Sequence, residues 1–208
     1  MILAVDTSLG SAVALIGADG ATIADVSSAD ALGHAEAIGG LLLRALEADD
    51  AHRPIAHVVA GMGPGPFTGL RIGIAAARAF ALGRGIPVVR VPSHAAAALT
   101  AIEGGAQAGP FAIVTDARRR EAAVTVYEGL DVDGIPHAVV DTVLVPRAEV
   151  EERLGAIRCV EVSSLSAAAL ARVGRRAIAA GRSLTGPEPL YLRAPDARPP
   201  AAPKRVGS

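Results

Sequence analysis

The sequence has no tryptophan, only three phenylalanines and two tyrosines in 208 residues, and a single cysteine and a single lysine. So few aromatic rings leave few platforms on which nucleic-acid bases could stack. One thiol, Cys159, excludes a disulfide scaffold and a cysteine-based zinc site. No apolar run reaches the roughly 20 residues that span a bilayer, although mean hydropathy is high at +0.41. An excess of charge is also missing, with 20 basic against 21 acidic residues, and neither half is basic enough to grip nucleic acid by charge alone. The opening MILAVDTS meets an acid at position 6 and lacks the charged start of a signal peptide. These absences predict a soluble cytoplasmic protein without a membrane partner, built as one domain or two small ones.

Alanine (45) and glycine (23) are abundant, and 19 of the 20 basic residues are arginine. Short apolar runs at 2–5, 12–16 and 21–26, separated by Asp6-Thr7-Ser8 and by residues 17–20, read as an antiparallel meander. A helix follows over about 34–48, with Ile38, Leu41, Leu42 and Leu46 on one face. Val58-Val59-Ala60 is a strand, and the loop after it leads to a helix over about 68–83 with Thr68 as N-cap. A strand at 87–91 and a short alanine-rich helix capped by Ser93 complete a mixed sheet with helices packed on it.

Residues 104–110 form the best internal boundary. Beyond it the opening pattern recurs: an apolar run at 111–115, Asp116, a turn over 117–121, and a second run at 122–127. A helix around 147–154, a strand around 157–162, a helix around 165–180 and a last strand at 187–193 follow. The expected organisation is a first lobe at 1–103, a smaller second lobe at 110–194, and a disordered Pro/Ala-rich tail at 195–208. The fold class is α/β. Two halves that each open strand–Asp–turn–strand match the two-lobed actin-like, ribonuclease H-like plan of sugar kinases and chaperone ATPases. An Asp at a strand end before a tight turn is also a common structural device.

Asp6, Thr7 and Ser8 could offer a carboxylate and two hydroxyls to a phosphate or a magnesium-bound water, with Asp116 doing the same from the other half. A nucleotide site also needs glycine-rich loops, and the second turn offers Arg118-Arg119-Arg120 instead. No two of His34, His52, His57, His94 and His137 have the i, i+4 spacing of a helical metal pair. The loop 61–68 between strand and helix could hold an anion on its N–H groups, or act as a turn stiffened by Pro64 and Pro66. In the next helix Gly69, Gly73, Ala77 and Ala81 recur every four residues. Glycine inside a helix costs on the order of 1 kcal/mol relative to alanine, which calls for a close neighbour, within this chain or on a partner. Gly39 and Gly40, beside Leu43, give the first helix the same look.

The stretch Gly63-Pro64-Gly65-Pro66-Phe67-Thr68-Gly69-Leu70-Arg71-Ile72-Gly73 resembles the GPGSFTGLRIG signature of the bacterial TsaB (YeaZ) family. The opening Ile2-Leu3-Ala4-Val5-Asp6-Thr7-Ser8, the Asp116-Ala117-Arg118-Arg119-x-Glu121 turn and Pro189-Leu190-Tyr191-Leu192-Arg193 are similar to it in the same order. Pro66 replaces the usual Ser, Ala122-Ala123 replace the usual Val-Tyr, and the second half is short. The resemblance implies a two-lobed actin-like fold and a non-catalytic subunit of tRNA threonylcarbamoyladenosine synthesis. Its paralogue TsaD transfers threonylcarbamoyl from the AMP ester to the adenosine 3′ of the anticodon. The HxxxH metal pair of TsaD falls here on Arg90 and His94, so no metal is implied. Implied partners are TsaD as a heterodimer and the ATPase TsaE, with a homodimer when alone and tRNA reached mainly through the complex. The implied interface lies on the first-lobe helices, at His34, Ile38, Leu41, Leu42, Gly69, Leu70, Arg71, Gly73, Ala77 and Phe80. No tightly bound cofactor is expected, and weak ATP or ADP binding would fall to a vestigial cleft at Asp6, Thr7, Ser8 and Asp116. An ATPase or small-molecule kinase acting alone is the alternative, and a metallopeptidase a remoter one.

Overall fold

The computed structural model describes residues 1–28, 33–50, 52–105 and 109–193, and the expected tail at 195–208 lies outside them. The opening meander forms β1 (Ile2–Asp6), β2 (Ser11–Ile16) and β3 (Thr22–Ser28). Then come α1 (His34–Glu47), β4 (His57–Gly61), α2 (Phe67–Arg84), β5 (Val88–Val91) and α3 (Ser93–Glu103). The first sheet has the order β3-β2-β1-β4-β5, with β1 antiparallel to β2 and parallel to β4. Both faces of β1 are covered, which explains its unbroken apolar run. Leu3 and Val5 face α1 and α2, whereas Ile2 and Ala4 face the opposite cluster with α5.

The second sheet contains β6 (Phe111–Asp116), β7 (Glu121–Leu130), β8 (Pro136–Pro146) and β9 (Arg158–Glu161), ordered β8-β7-β6-β9. Between β8 and β9 lie a short 3-10 turn (Arg147–Glu149) and α4 (Val150–Leu154), and the last helix is α5 (Ala167–Ala179). The sheet repeats the start of the first: β6 is antiparallel to β7 and parallel to β9.

Two helices hold the sheets together. In α3, Ala95, Ala96 and Leu99 join the core beneath the first sheet, while Ala97, Ala98 and Ile102 pack with Phe111, Ile113 and Tyr127 of the second. A helix apolar all round is one buried all round, which accounts for its alanines. Although α5 follows the second sheet in sequence, it packs with Ala167, Leu170, Val173 and Ala177 against the first. Its approach is so close that a Cβ on Gly174 would lie 2.4 Å from Val59 Cγ2.

Several expectations need correction. Thr68 and Ser93 are not caps: α2 begins at Phe67 behind Pro66, and α3 begins at Ser93 behind Pro92. Proline fixes the entry angle in both places. Residues 187–193 form no strand, and β8, an eleven-residue strand, went unpredicted. Among the described residues, no helix is long and apolar enough to cross a membrane.

Gly174→Val should lower stability by about 2 kcal/mol or more through overpacking against Val59. Ala179→Val, on an exposed position of the same helix, should cost well under half of that. Urea unfolding midpoints check the contrast.

Candidate functional site

The tripeptide Asp6-Thr7-Ser8 leaves the end of β1 and is almost fully buried, with 2%, 1% and 1% exposure. Asp6 Oδ1 accepts a hydrogen bond from the Ser8 backbone N–H at 2.8 Å and another from the Ser8 hydroxyl. Its Oδ2 accepts from Ser93 Oγ at 2.5 Å, and Ser93 Oγ accepts from the Gly63 N–H at 3.0 Å. Thr7 Oγ1 donates to the Gly69 carbonyl at 2.7 Å. One carboxylate thus ties the end of β1 to the glycine-proline loop and to the start of α3.

Glycines make room for this knot. A Cβ on Gly61 would lie 1.8 Å from Asp6 Oδ2, on Gly65 2.7 Å from Ser8 Cα, and on Gly73 2.1 Å from Thr7 Oγ1. Gly73, one of the small residues recurring every fourth position in α2, therefore answers to Thr7 inside the chain. A bulky residue at 73 would probe the Thr7 contact and not an outside surface. Both Asp6 oxygens and the Thr7 hydroxyl point at the chain's own groups.

Asp116 occupies the equivalent strand end of the second sheet, yet it is exposed and accepts from the Arg118 N–H at 3.1 Å. The turn after it carries Arg118, Arg119 and Arg120 at φ 60°, 54° and 62°. Arg193 holds this turn by donating to the Ala117 carbonyl at 3.1 Å and the Arg118 carbonyl at 3.3 Å, and it pairs with Glu121. No hydrogen bond joins Asp116 to the Asp6 knot among the described residues. The four residues predicted as one cleft thus split into a buried tripeptide and an exposed carboxylate.

His94, read from sequence only as half of a missing metal pair, is 1% exposed. Its Nδ1 lies 2.7 Å from Thr125 Oγ1 and its Nε2 lies 3.0 Å from Thr115 Oγ1, while Thr125 meets Thr142 at 2.8 Å. This polar chain pins α3 to β6, β7 and β8. Burial pushes the imidazole down to a pKa of about 3, so the ring is neutral. Among the described residues, no three His, Cys, Asp or Glu side chains are grouped to hold a metal.

The residues predicted for a partner surface divide in two. Ile38, Leu41, Gly69, Leu70, Gly73 and Ala77 are buried against the chain's own sheet, because packing a helix on a sheet covers its most apolar stripe. Leu42 and Phe80 are half-buried. Only the backbone of His34 belongs to the described structure. Arg71 is exposed but engaged: its guanidinium sits 3.7 Å over the Phe67 ring, and its Nε donates to the Tyr191 hydroxyl at 3.2 Å. Tyr191 lies in an irregular strap fixed by Leu190 N–H to the Met62 carbonyl at 2.8 Å and by Arg78 to the Pro187 carbonyl at 3.0 Å. Between strap and α2 is a groove of about 440 Å³, floored by Ile74, Ala75 and Pro189. Facing outward instead are Gly39 and Gly40, with nothing within 4 Å of an added Cβ, together with Leu43 at 56% and Leu82 at 84% exposure. Sequence reasoning set Leu43 beside Gly39 and Gly40 but passed over Leu82, because it followed the stripe that the sheet claims.

Fold and site define an actin-like α/β protein of two mixed sheets flanked by helices. The family described as TsaD, tRNA N6-adenosine threonylcarbamoyltransferase, matches residues 28–144. The chain belongs to this family, which makes threonylcarbamoyladenosine in tRNA. Uncharacterized proteins of Mycobacterium bovis and Mycobacterium tuberculosis are 39% identical over 95% of this chain and 94% of theirs. YeaZ from Pseudomonas aeruginosa has the same fold, with a TM-score of 0.72 and 23% identity over 92% of this chain and 99% of its own. A second Pseudomonas aeruginosa structure, an uncharacterized protein with similarity to peptidase YEAZ, gives a TM-score of 0.75 at 24% identity over the same shares. The resemblance to the TsaB (YeaZ) family read from the glycine-proline signature agrees with these findings.

Because His94 stays neutral when folded but takes up a proton below about pH 6.5 when unfolded, its burial lowers stability as pH falls from about 6.5 toward about 3. The slope is at most about 1.4 kcal/mol per pH unit. Urea midpoints at pH 7.5 and pH 5 should therefore differ more for the native chain than for His94→Gln.

Proposed function

We propose that this chain is a non-catalytic, activating subunit of the tRNA threonylcarbamoyladenosine synthesis complex in the cytoplasm. It pairs with a TsaD subunit, which transfers the threonylcarbamoyl group, and the ATPase TsaE completes the assembly. A second copy of the chain takes the place of TsaD when TsaD is absent. The tRNA is reached mainly through the complex. No tightly bound cofactor belongs to this chain, and ATP or ADP would bind weakly at most.

The observation that carries this reading is the state of Asp6. In an actin-like fold the carboxylate at the end of the first strand is the group placed to meet a nucleotide's phosphates or metal. Here both of its oxygens are bound to Ser8 and Ser93 in a site closed by glycine contacts. Recruiting them would leave the Ser8 and Ser93 hydroxyls and the Ser8 N–H without partners, at roughly 1–3 kcal/mol for each buried group. A family member whose cleft carboxylate is engaged in this way contributes by binding.

Pairing would use the outward ridge of α1 and α2, where Gly39 and Gly40 allow close approach and Leu43 and Leu82 supply apolar contact. Binding would stabilise the competent state of TsaD through its preference for that state, without adding a reacting group. TsaD differs in needing chemistry of its own, so the two subunits divide catalysis and support.

Leu43→Asp combined with Leu82→Asp should abolish co-elution with TsaD and lower stimulated tRNA threonylcarbamoylation by at least about tenfold. Because both leucines are exposed, the melting temperature should stay close to that of the native chain. Stimulation should survive Asp116→Ala. Tight magnesium-ATP binding by the isolated chain, lost in that variant, would favour an ATPase or kinase acting alone.

A further inference from the structure

We propose that the turn between β6 and β7 contacts tRNA phosphates directly within the assembled complex, an inference that rests on the functional reading above. Arg118, Arg119 and Arg120 all lie in the left-handed region, at φ 60°, 54° and 62°. Side chains other than glycine and asparagine disfavour that region, by roughly 1–2 kcal/mol per residue. A turn selected for folding alone would carry glycine, asparagine or aspartate at such positions. This one carries three consecutive arginines, and all three are exposed.

The surrounding chain imposes the shape from outside. Arg193 grips the Ala117 and Arg118 carbonyls, the Arg147 N–H donates to the Arg120 carbonyl at 2.8 Å, and the Ala117 N–H donates to the Glu121 carbonyl at 2.9 Å. The neighbouring carboxylates already have partners. Glu121 pairs with Arg193, Glu161 pairs with Arg147, and Asp116 accepts from the Arg118 backbone. Glu121 and Glu161 are thus engaged by Arg193 and Arg147, while the side chains of Arg118 and Arg120 stand exposed on the turn.

Closely spaced guanidinium groups fit a polymer of closely spaced oxyanions, because each planar fork can hold a phosphate bidentately. The substrate class of this family is tRNA, whose backbone is such a polymer. With five aromatic residues in the whole chain, the contact would read the backbone and not the bases. It would position the tRNA for the partner subunit and add no sequence selectivity.

The test uses Arg118→Asn with Arg120→Asn, since asparagine suits the left-handed region and removes the charge. The variant is assembled with TsaD and TsaE, and its affinity for an unmodified tRNA transcript is measured between 50 and 200 mM salt. The expected result is an unchanged complex by size-exclusion chromatography and an equal or higher melting temperature. Binding at 100 mM salt should weaken on the order of tenfold, and the dependence of log K on log salt should become shallower by about 1.4–1.8, or 0.7–0.9 per lost phosphate contact. Unchanged affinity and slope in an intact complex would overturn the proposal. So would loss of TsaD or TsaE from the complex, which would assign the turn to an acidic protein surface. If the native chain fails to assemble with TsaD, the functional reading falls instead. Salt-dependent binding of the isolated native and variant chains to the same transcript then decides on the turn: a difference supports the phosphate contact, and none overturns it.

Discussion

The Asp6 carboxylate organises the first sheet's working end. Its two oxygens join three segments far apart in sequence: the end of β1, the glycine-proline loop and the start of α3. A buried carboxylate is tolerated only when its oxygens are satisfied, and here every donor comes from the chain itself. The rest follows from that constraint. Gly61, Gly65 and Gly73 are glycines because Asp6, Ser8 and Thr7 fill the space a side chain would need. The position of α2 is set by Thr7, which fixes which of its faces meets the sheet and which faces water. Asp6 is thus the centre of a buried structural knot.

The second organising element is α3, shared by the two sheets and carrying the neutral His94 between Thr115 and Thr125, the latter joined to Thr142. Where two lobes of this kind must open and close around a ligand, the joint between them has to yield. Here the joint is apolar on both sides and threaded by a buried polar chain. The ion pairs of Arg182 with Asp131 and Asp133 add a second brace, between the β7–β8 turn and the residues after α5.

Much of this was legible in the sequence. The meander, the alternation of strands and helices in the first half, and the repeated strand–Asp–turn opening all came from short-range patterns of apolar runs and turn residues. The strand β8 escaped because the stretch around His137 to Val145 has half-exposed valines on an edge, without clean alternation. The strap at 187–193 looked like a strand because its composition is apolar, yet its bonds go to Met62, Arg71 and Arg78 and not to a ladder. The site was less legible than the fold. Spacing identified Gly69 and Gly73 as places of close approach but could not say what approaches, and the neighbour is Thr7, 62 and 66 positions away in the chain. Leu82 went unnoticed because an apolar stripe in sequence marks the buried face, and this leucine lies off that stripe at 84% exposure.

The position of α5 also bears on how the chain is made. The rear face of the first sheet, with Ile2, Ala4, Ala14 and Ile16, is covered by a helix that begins at residue 167. At about 5–20 residues per second, the ribosome needs roughly 3 to 13 s to travel from the end of α3 to the start of α5. Throughout that interval the nascent first sheet has α1 and α2 on one side and, on the other, an alanine-rich apolar surface met by α3 alone. Closure must await a segment from beyond the whole second sheet, which gives the protein long-range contacts and a correspondingly late final step in folding.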